Sequence, residues 1–220
     1  MLASSRRRRA GKPAARDPAR TRDVLLQAAF GEIYRSGFRG SDVETILRAA
    51  GVTKGAMYYH FDNKEALGYA VVDEVVAGIM REKWQSPLQA ARDPLDALIG
   101  VVRSTSLRPE HVCGGCPLNN LSQEMSPLDH GFRRRTAKVF NDWHRAVAAA
   151  LRSGKLRGMV RKEVNPDEAA TFLIAAYEGY MSLAKNSQDP KGLRAGQKAL
   201  INYLETLRPR RGGKLMEPPL

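Results

Sequence analysis

A chain of 220 residues is long enough to bury a sizeable core, as one domain or two. Hydrophobic residues make up 43% and charged residues 27%, as in soluble globular proteins, and no apolar run approaches the ~18 residues of a membrane span. Thirty-six Lys and Arg against 23 Asp and Glu give a net charge of +13, which points to a polyanionic partner: nucleic acid or an anionic membrane surface.

Residues 1–20 carry Arg6 to Arg9, Lys12, Arg16 and Arg20 against one acid, Asp17, with no hydrophobic period. The segment is expected to be a disordered basic arm that follows phosphates or enters a minor groove, or else a solvated tail. No apolar segment follows its basic residues, so a secretory signal is not expected. Two cysteines make no disulfide scaffold, and a cytoplasmic protein is the default. From Thr21 to Ser36 the pattern predicts a helix capped by Thr21, with Leu25, Ala28, Ala29 and Ile33 inward. Gly37 and Gly40 bracket a loop in which Phe38 reads as a plug.

The stretch from Ser41 to Glu65 reads as two short helices around a tight turn, then the start of a third. Ser41 with Glu44, and Asp62 with Glu65, have capping-box spacing. Val43, Ile46, Leu47 and Ala50 form one apolar face, and Gly51 suits the turn. Thr53 can cap TKGAMYYH, a helix of about two turns. Lys54, Tyr58, Tyr59 and His60 offer a cation and three rings with polar ends. Gly55 leaves room for close backbone approach to a phosphate, and Ala56 and Met57 suit packing. This is the helix-turn-helix pattern of a major-groove reader, although a plain helical hairpin has the same spacing. Amides at the start of the first helix, near Thr21, and the Ser41 hydroxyl are candidate phosphate contacts.

The run AAGVTKGAMYYHFDNKEAL resembles the DNA-binding segment of the TetR family of bacterial transcriptional regulators, with the match extending from about Thr21 to Leu67. The resemblance implies an all-α fold: a three-helix DNA-binding unit followed by a helical ligand-binding and dimerisation domain. It implies that Gly55 and Lys64 anchor the DNA backbone, and that Thr53, Tyr58, Tyr59 and His60 anchor or read. It also implies a homodimer through the last two long helices, near 167–185 and 191–207, on a palindromic double-stranded operator. The function so implied is that of a repressor released by a small-molecule effector.

The helix from Asp62 is expected to run toward Trp84 as a rigid link, with Ser86-Pro87 breaking it. The expected organisation is an arm over 1–20, the DNA-binding domain with its connecting helix over 21–84, an effector and dimerisation domain over 85–208, and a flexible tail over 209–220. After Pro94 all substantial segments have helical period, with RPEHVCGGCP as a loop, and Pro127, Asn165-Pro166 and Asp189-Pro190 opening helices. AATFLIAAYEGYMSLA is apolar on more than one face, fitting a bundle centre or a subunit contact. Met125, Phe132, Phe140, Trp143, Phe172, Tyr177, Tyr180 and Met181 are candidates to line an effector pocket, against plain packing. Such a pocket suits a hydrophobic or aromatic molecule.

Cys113 and Cys116, with His111 before them, offer three soft ligands without a fourth, so no metal is expected. The pair is also a candidate redox or electrophile sensor, a Cys116 thiolate gaining from the helix start after it; inert packing is the alternative. Four scattered histidines and no phosphate-binding loop argue against an enzyme, and no cofactor is expected. A non-specific architectural DNA binder would explain the charge but not the large apolar helical domain.

Overall fold

The computed structural model describes residues 17–209, so residues 1–16 of the expected arm and 210–220 of the expected tail lie outside it. All regular elements among the described residues are helices. Helix α1 (Pro18–Gly40) is capped by Asp17, whose carboxylate accepts from the Ala19 amide, and it opens with Pro18 in its first turn. The expected cap, Thr21, therefore lies inside the helix and donates its hydroxyl to the Asp17 carbonyl at 3.0 Å. α1 kinks at Gly37, whose φ of 75° glycine adopts without strain.

Helices α2 (Val43–Ala50) and α3 (Lys54–His60) follow, separated by Gly51 at φ 63°. The α2 cap is Asp42, not Ser41: its carboxylate accepts from both the amide and the hydroxyl of Thr45. Ser41 is buried and donates its hydroxyl to the Phe38 carbonyl at 2.7 Å. Asn63 rather than Asp62 caps α4, accepting from the Ala66 amide. In each case the competing side chain sits one residue away, a difference that spacing alone does not resolve.

Helix α4 spans residues 64–89 and contains two π-helical segments, Val71–Val76 and Arg81–Gln85. The expected break at Pro87 does not occur. The second wide turn lets the Ser86 amide reach back to the Arg81 carbonyl, so the missing Pro87 donor falls where hydrogen bonding is already shifted. α5 (Pro94–Arg103), α6 (Pro109–Gly114), α7 (Pro117–Met125), α8 (His130–Leu156), α9 (Pro166–Ser187) and α10 (Pro190–Thr206) complete the chain. The RPEHVCGGCP segment thus contains a short helix, and α8 starts after Asp129 instead of at Pro127.

Two cores share α4. Leu25, Ala29, Ile46, Met57 and Leu67 close the three-helix unit, and Trp84, Trp143, Leu98, Leu151 and Tyr177 fill the larger domain. Phe38 plugs the junction, with its ring centroid 4.5 Å from that of Phe132 on α8, whose ring is also 4.9 Å from that of Tyr69. α9 and α10 pack closely: a Cβ on Gly196 would lie 2.3 Å from that of Tyr180.

Candidate nucleic-acid interface and effector cavity

Helix α3 buries one side chain fully, Met57, and turns most of the rest outward. Thr53 caps it, its hydroxyl accepting from the Ala56 amide at 3.3 Å. Thr53, Lys54, Gly55, Tyr58 and Tyr59 are exposed, Tyr59 at 77%, and His60 is half-buried with its ring edge-on to Tyr59. Large aromatic side chains left in water on a two-turn helix contribute little to packing. They form an exposed, amphipathic aromatic surface.

Lys64 is less free than expected. Its ammonium donates to the Ser41 carbonyl at 2.7 Å and lies 4.8 Å from the Phe38 ring centroid, so it braces the α1–α2 junction. One ammonium has three donors, which leaves capacity for a phosphate. Ser41 has no free hydroxyl for that purpose, and the Thr21 hydroxyl is likewise engaged by its own helix.

The DNA-facing unit is tied to the larger domain by specific polar contacts. Both carboxylate oxygens of Glu124 on α7 accept amides just past the α1 kink, Phe38 and Arg39, each at 2.8 Å. A Cβ at position 37 would lie 2.9 Å from Glu124 Oε2, so the kink glycine also provides the space for this contact. Tyr34 donates its hydroxyl to the Gly115 carbonyl, Arg22 forms an ion pair with Glu74, and Arg135 with Asp73. Glu124 gave no signal in the sequence, because its partners are backbone amides remote along the chain.

A cleft of about 840 Å³ opens between α1, α7 and the end of α9, beside Tyr34, Gly37, Asn120, Glu124 and Lys185. None of the eight pocket candidates lines it. Met125, Trp143 and Tyr177 are buried in the core, and Phe172 is exposed and packs its ring 4.4 Å from that of Tyr203. Phe132 is core too, filling the junction. Phe140 does border a shallow, open depression of about 350 Å³ between α8 and α9. Most of the candidates are large apolar or aromatic side chains, and burial in a core claims such residues before any ligand does.

Behind that depression, Trp84, Trp143, Tyr177 and Tyr180 form a cluster of edge-on and tilted rings. Lys83 donates to the Tyr177 hydroxyl, which also lies 3.2 Å from that of Thr105. Burial lowers the Lys83 ammonium below its usual range and raises the Tyr177 phenol. Glu178, the one acid inside the apolar run of α9, is buried without a hydrogen-bond partner on either oxygen. Burial pushes its carboxyl up to about 7. The Cys116 thiol comes close enough to feel that carboxylate without a bond of normal geometry.

The two cysteines are differently placed. Cys113 is exposed on α6, whereas Cys116 is buried at the start of α7. Burial and the neighbouring Glu178 raise the Cys116 thiol, outweighing the Leu118 and Asn119 amides of the helix start. The expectation of a favoured thiolate there is thus reversed.

Known proteins share both halves of this architecture. The family model for bacterial regulatory proteins of the tetR family matches residues 25–71, and the one for tetracyclin repressor-like C-terminal domains matches residues 91–200. The HTH-type transcriptional repressor DhaR of Mycobacterium sp. (strain GP1) is 31% identical over 166 residues, covering 75% of this chain and 81% of its own. The HTH-type transcriptional regulator LmrA of Bacillus subtilis (strain 168) is 29% identical over 174 residues, covering 76% and 89%. A TetR transcriptional regulator from Chloroflexus aurantiacus superposes with a TM-score of 0.78 at 30% identity, over 88% of this chain and 98% of that one. The chain belongs to the TetR family of bacterial transcriptional regulators, which bind DNA and are not enzymes.

Proposed function

We propose that the chain represses transcription as a cytoplasmic homodimer and is released from its operator by a small molecule. The exposed face of α3 carries this reading: Tyr58 and Tyr59 stand in solvent above a single buried anchor, Met57. In the groove, Thr53, Lys54, Gly55 and Lys64 would hold phosphates while Tyr58, Tyr59 and His60 reach base edges or phosphates. The repressor DhaR among its relatives favours this sign of regulation.

The dimer is supported by an uncovered stripe on α9, in which Phe172, Ala175, Gly179, Ser182 and Leu183 recur at helical spacing and are exposed. On α10, Gly192, Ala195, Ala199 and Asn202 form a matching exposed stripe of small side chains. Two such pairs of helices can approach closely around a two-fold axis, which spaces two α3 helices for a palindromic site. No helix among the described residues is long and apolar enough to cross a membrane.

Effector binding would act by differential affinity for two placements of the DNA-binding unit. Glu124 and the aromatic junction of Phe38, Tyr69 and Phe132 are the contacts through which a shift of α7, α8 or α4 reaches α1. Selection of bound duplexes from random DNA tests the proposal. It predicts a two-fold-symmetric consensus with half-sites about one helical turn apart. Recovery of DNA without any consensus would favour a non-specific architectural protein instead.

A further inference from the structure

The turn between α6 and α7 is Cys113-Gly114-Gly115-Cys116, and it is squeezed between two other helices. Gly114 has no room for a side chain, since a Cβ there would lie 2.1 Å from the Tyr34 hydroxyl of α1. Gly115 has φ 71°, a conformation glycine adopts without strain, and a Cβ on it would lie 2.9 Å from Cδ of Lys185 near the end of α9. One thickness of backbone thus stands between Tyr34 and Lys185. Polar contacts fix both sides of it. Tyr34 donates its hydroxyl to the Gly115 carbonyl at 2.8 Å, and its ring is stacked on Phe30 of the same helix with centroids 5.8 Å apart. On the other side, Asn120 donates its amide to the Gly114 carbonyl at 2.7 Å and accepts from the Lys185 ammonium at 2.9 Å. This orientation of the Asn120 amide is the one that serves both partners, because the flipped amide would turn a donor to the cation and an acceptor to the carbonyl.

Both sides of the turn are therefore in use, one by the DNA-binding unit and one by the helix that carries the exposed stripe from Phe172 to Leu183. We infer that Tyr34, Asn120 and Lys185 are positioning residues for operator recognition. Through the glycine turn they set the distance of α1, and with it α3, from the dimer axis, and so the half-site separation that the protein accepts. The inference rests on the dimeric regulator reading above and adds the residues that fix its geometry. Other ties of the DNA-binding unit end elsewhere: Arg22 pairs with Glu74 on α4, and Glu124 belongs to α7. Those contacts orient the unit against the core of its own subunit, whereas the relay from Tyr34 to Lys185 reaches the helix assigned to the two-fold contact. Half-site spacing is a sharp readout of such a relay. One base pair moves a half-site by about 3.4 Å along the duplex and rotates it by about a tenth of a turn.

The test uses the full-length protein and the operator from the random-DNA selection. Four duplexes are compared: the selected one, one with a base pair added between the half-sites, one with a base pair removed, and a single half-site. The parent is expected to prefer the selected spacing over both altered ones by at least about tenfold. Tyr34→Phe removes the hydroxyl and keeps the ring on Phe30, and Lys185→Met removes the ammonium and keeps the stem. Each variant should bind the single half-site within about twofold of the parent, while its preference for the selected spacing falls to about threefold or less. The double variant should do little more than either single one, because both substitutions act on the same turn. Uniform loss over all four duplexes, or a spacing preference undiminished in the folded variants, would overturn the inference. Lys185→Met decides the matter if Tyr34→Phe does not fold. A parent that selects no two-fold consensus would remove the regulator reading and the inference with it, whereas a consensus whose spacing preference outlasts both substitutions overturns the inference alone.

Discussion

Two aromatic clusters in this molecule have similar composition and opposite surroundings. On α3, Tyr58 and Tyr59 are 49% and 77% exposed, with few neighbours to fix them beyond His60. In the larger domain Trp84, Trp143 and Tyr177 are at most 2% exposed, and the indole N–H groups and the Tyr180 hydroxyl lack protein partners. Rings in water are free to meet a macromolecular surface, whereas the buried rings form a packed floor with polar atoms left over. Aromatic content by itself therefore does not mark a site; what matters is whether neighbours already use the ring.

That contrast can be broken most directly by truncation. Trp143→Ala is expected to cost about 3–5 kcal/mol in urea unfolding, as large cavities in cores do. Tyr59→Ala should stay within about 0.5 kcal/mol of the parent while weakening DNA binding. Comparable losses of stability from both would erase the distinction.

The buried carboxyl sharpens it further. Glu178 is raised from its ordinary 4.5 to about 7, so the folded state holds a proton that the unfolded state releases sooner. Its stabilising contribution is complete below pH 4.5 and is lost as pH rises toward 7, on the order of 3 kcal/mol in all. Glu178→Gln should flatten this part of the stability profile and be the more stable protein at pH 8. A variant whose pH profile overlays that of the parent would show Glu178 to be compensated.

Between the two clusters, Glu124→Gln replaces one acceptor by a donor facing the Phe38 and Arg39 amides. It should cost about 1–3 kcal/mol and weaken the dependence of DNA affinity on effector. Unchanged coupling would shift transmission to the aromatic junction. The smallest effect is expected at Lys64. Lys64→Ala should lower the salt slope of binding by about one on any sequence, and binding unchanged at two salt concentrations would leave Lys64 as a brace only.

The DNA-binding unit was legible because its signals are local. Thr53 and Gly51 act within one turn of their positions, and Val43, Ile46 and Leu47 announce the buried face of α2. The misplaced caps, Ser41 for Asp42 and Asp62 for Asn63, came from adjacent side chains of equal capping ability. The environment of Glu178 was not legible. Glu178 was visible only as a lone acid in an apolar run, and its meaning depends on Cys116, Lys83 and Phe140, which are brought to it by three other helices. The continuation of α4 past Pro87 depended on a wide turn that no spacing rule announces.

We propose that the exposed face of α3 reads base sequence. Its most direct test is the affinity of the parent and of Tyr58→Ala for the selected operator and for a scrambled duplex at one salt concentration. A base-reading Tyr58 predicts a loss of about tenfold or more on the operator, equivalent to ~1.4 kcal/mol, and little change on the scrambled duplex. Equal losses on both would make Tyr58 a phosphate contact, and no loss on either would place sequence recognition elsewhere than α3.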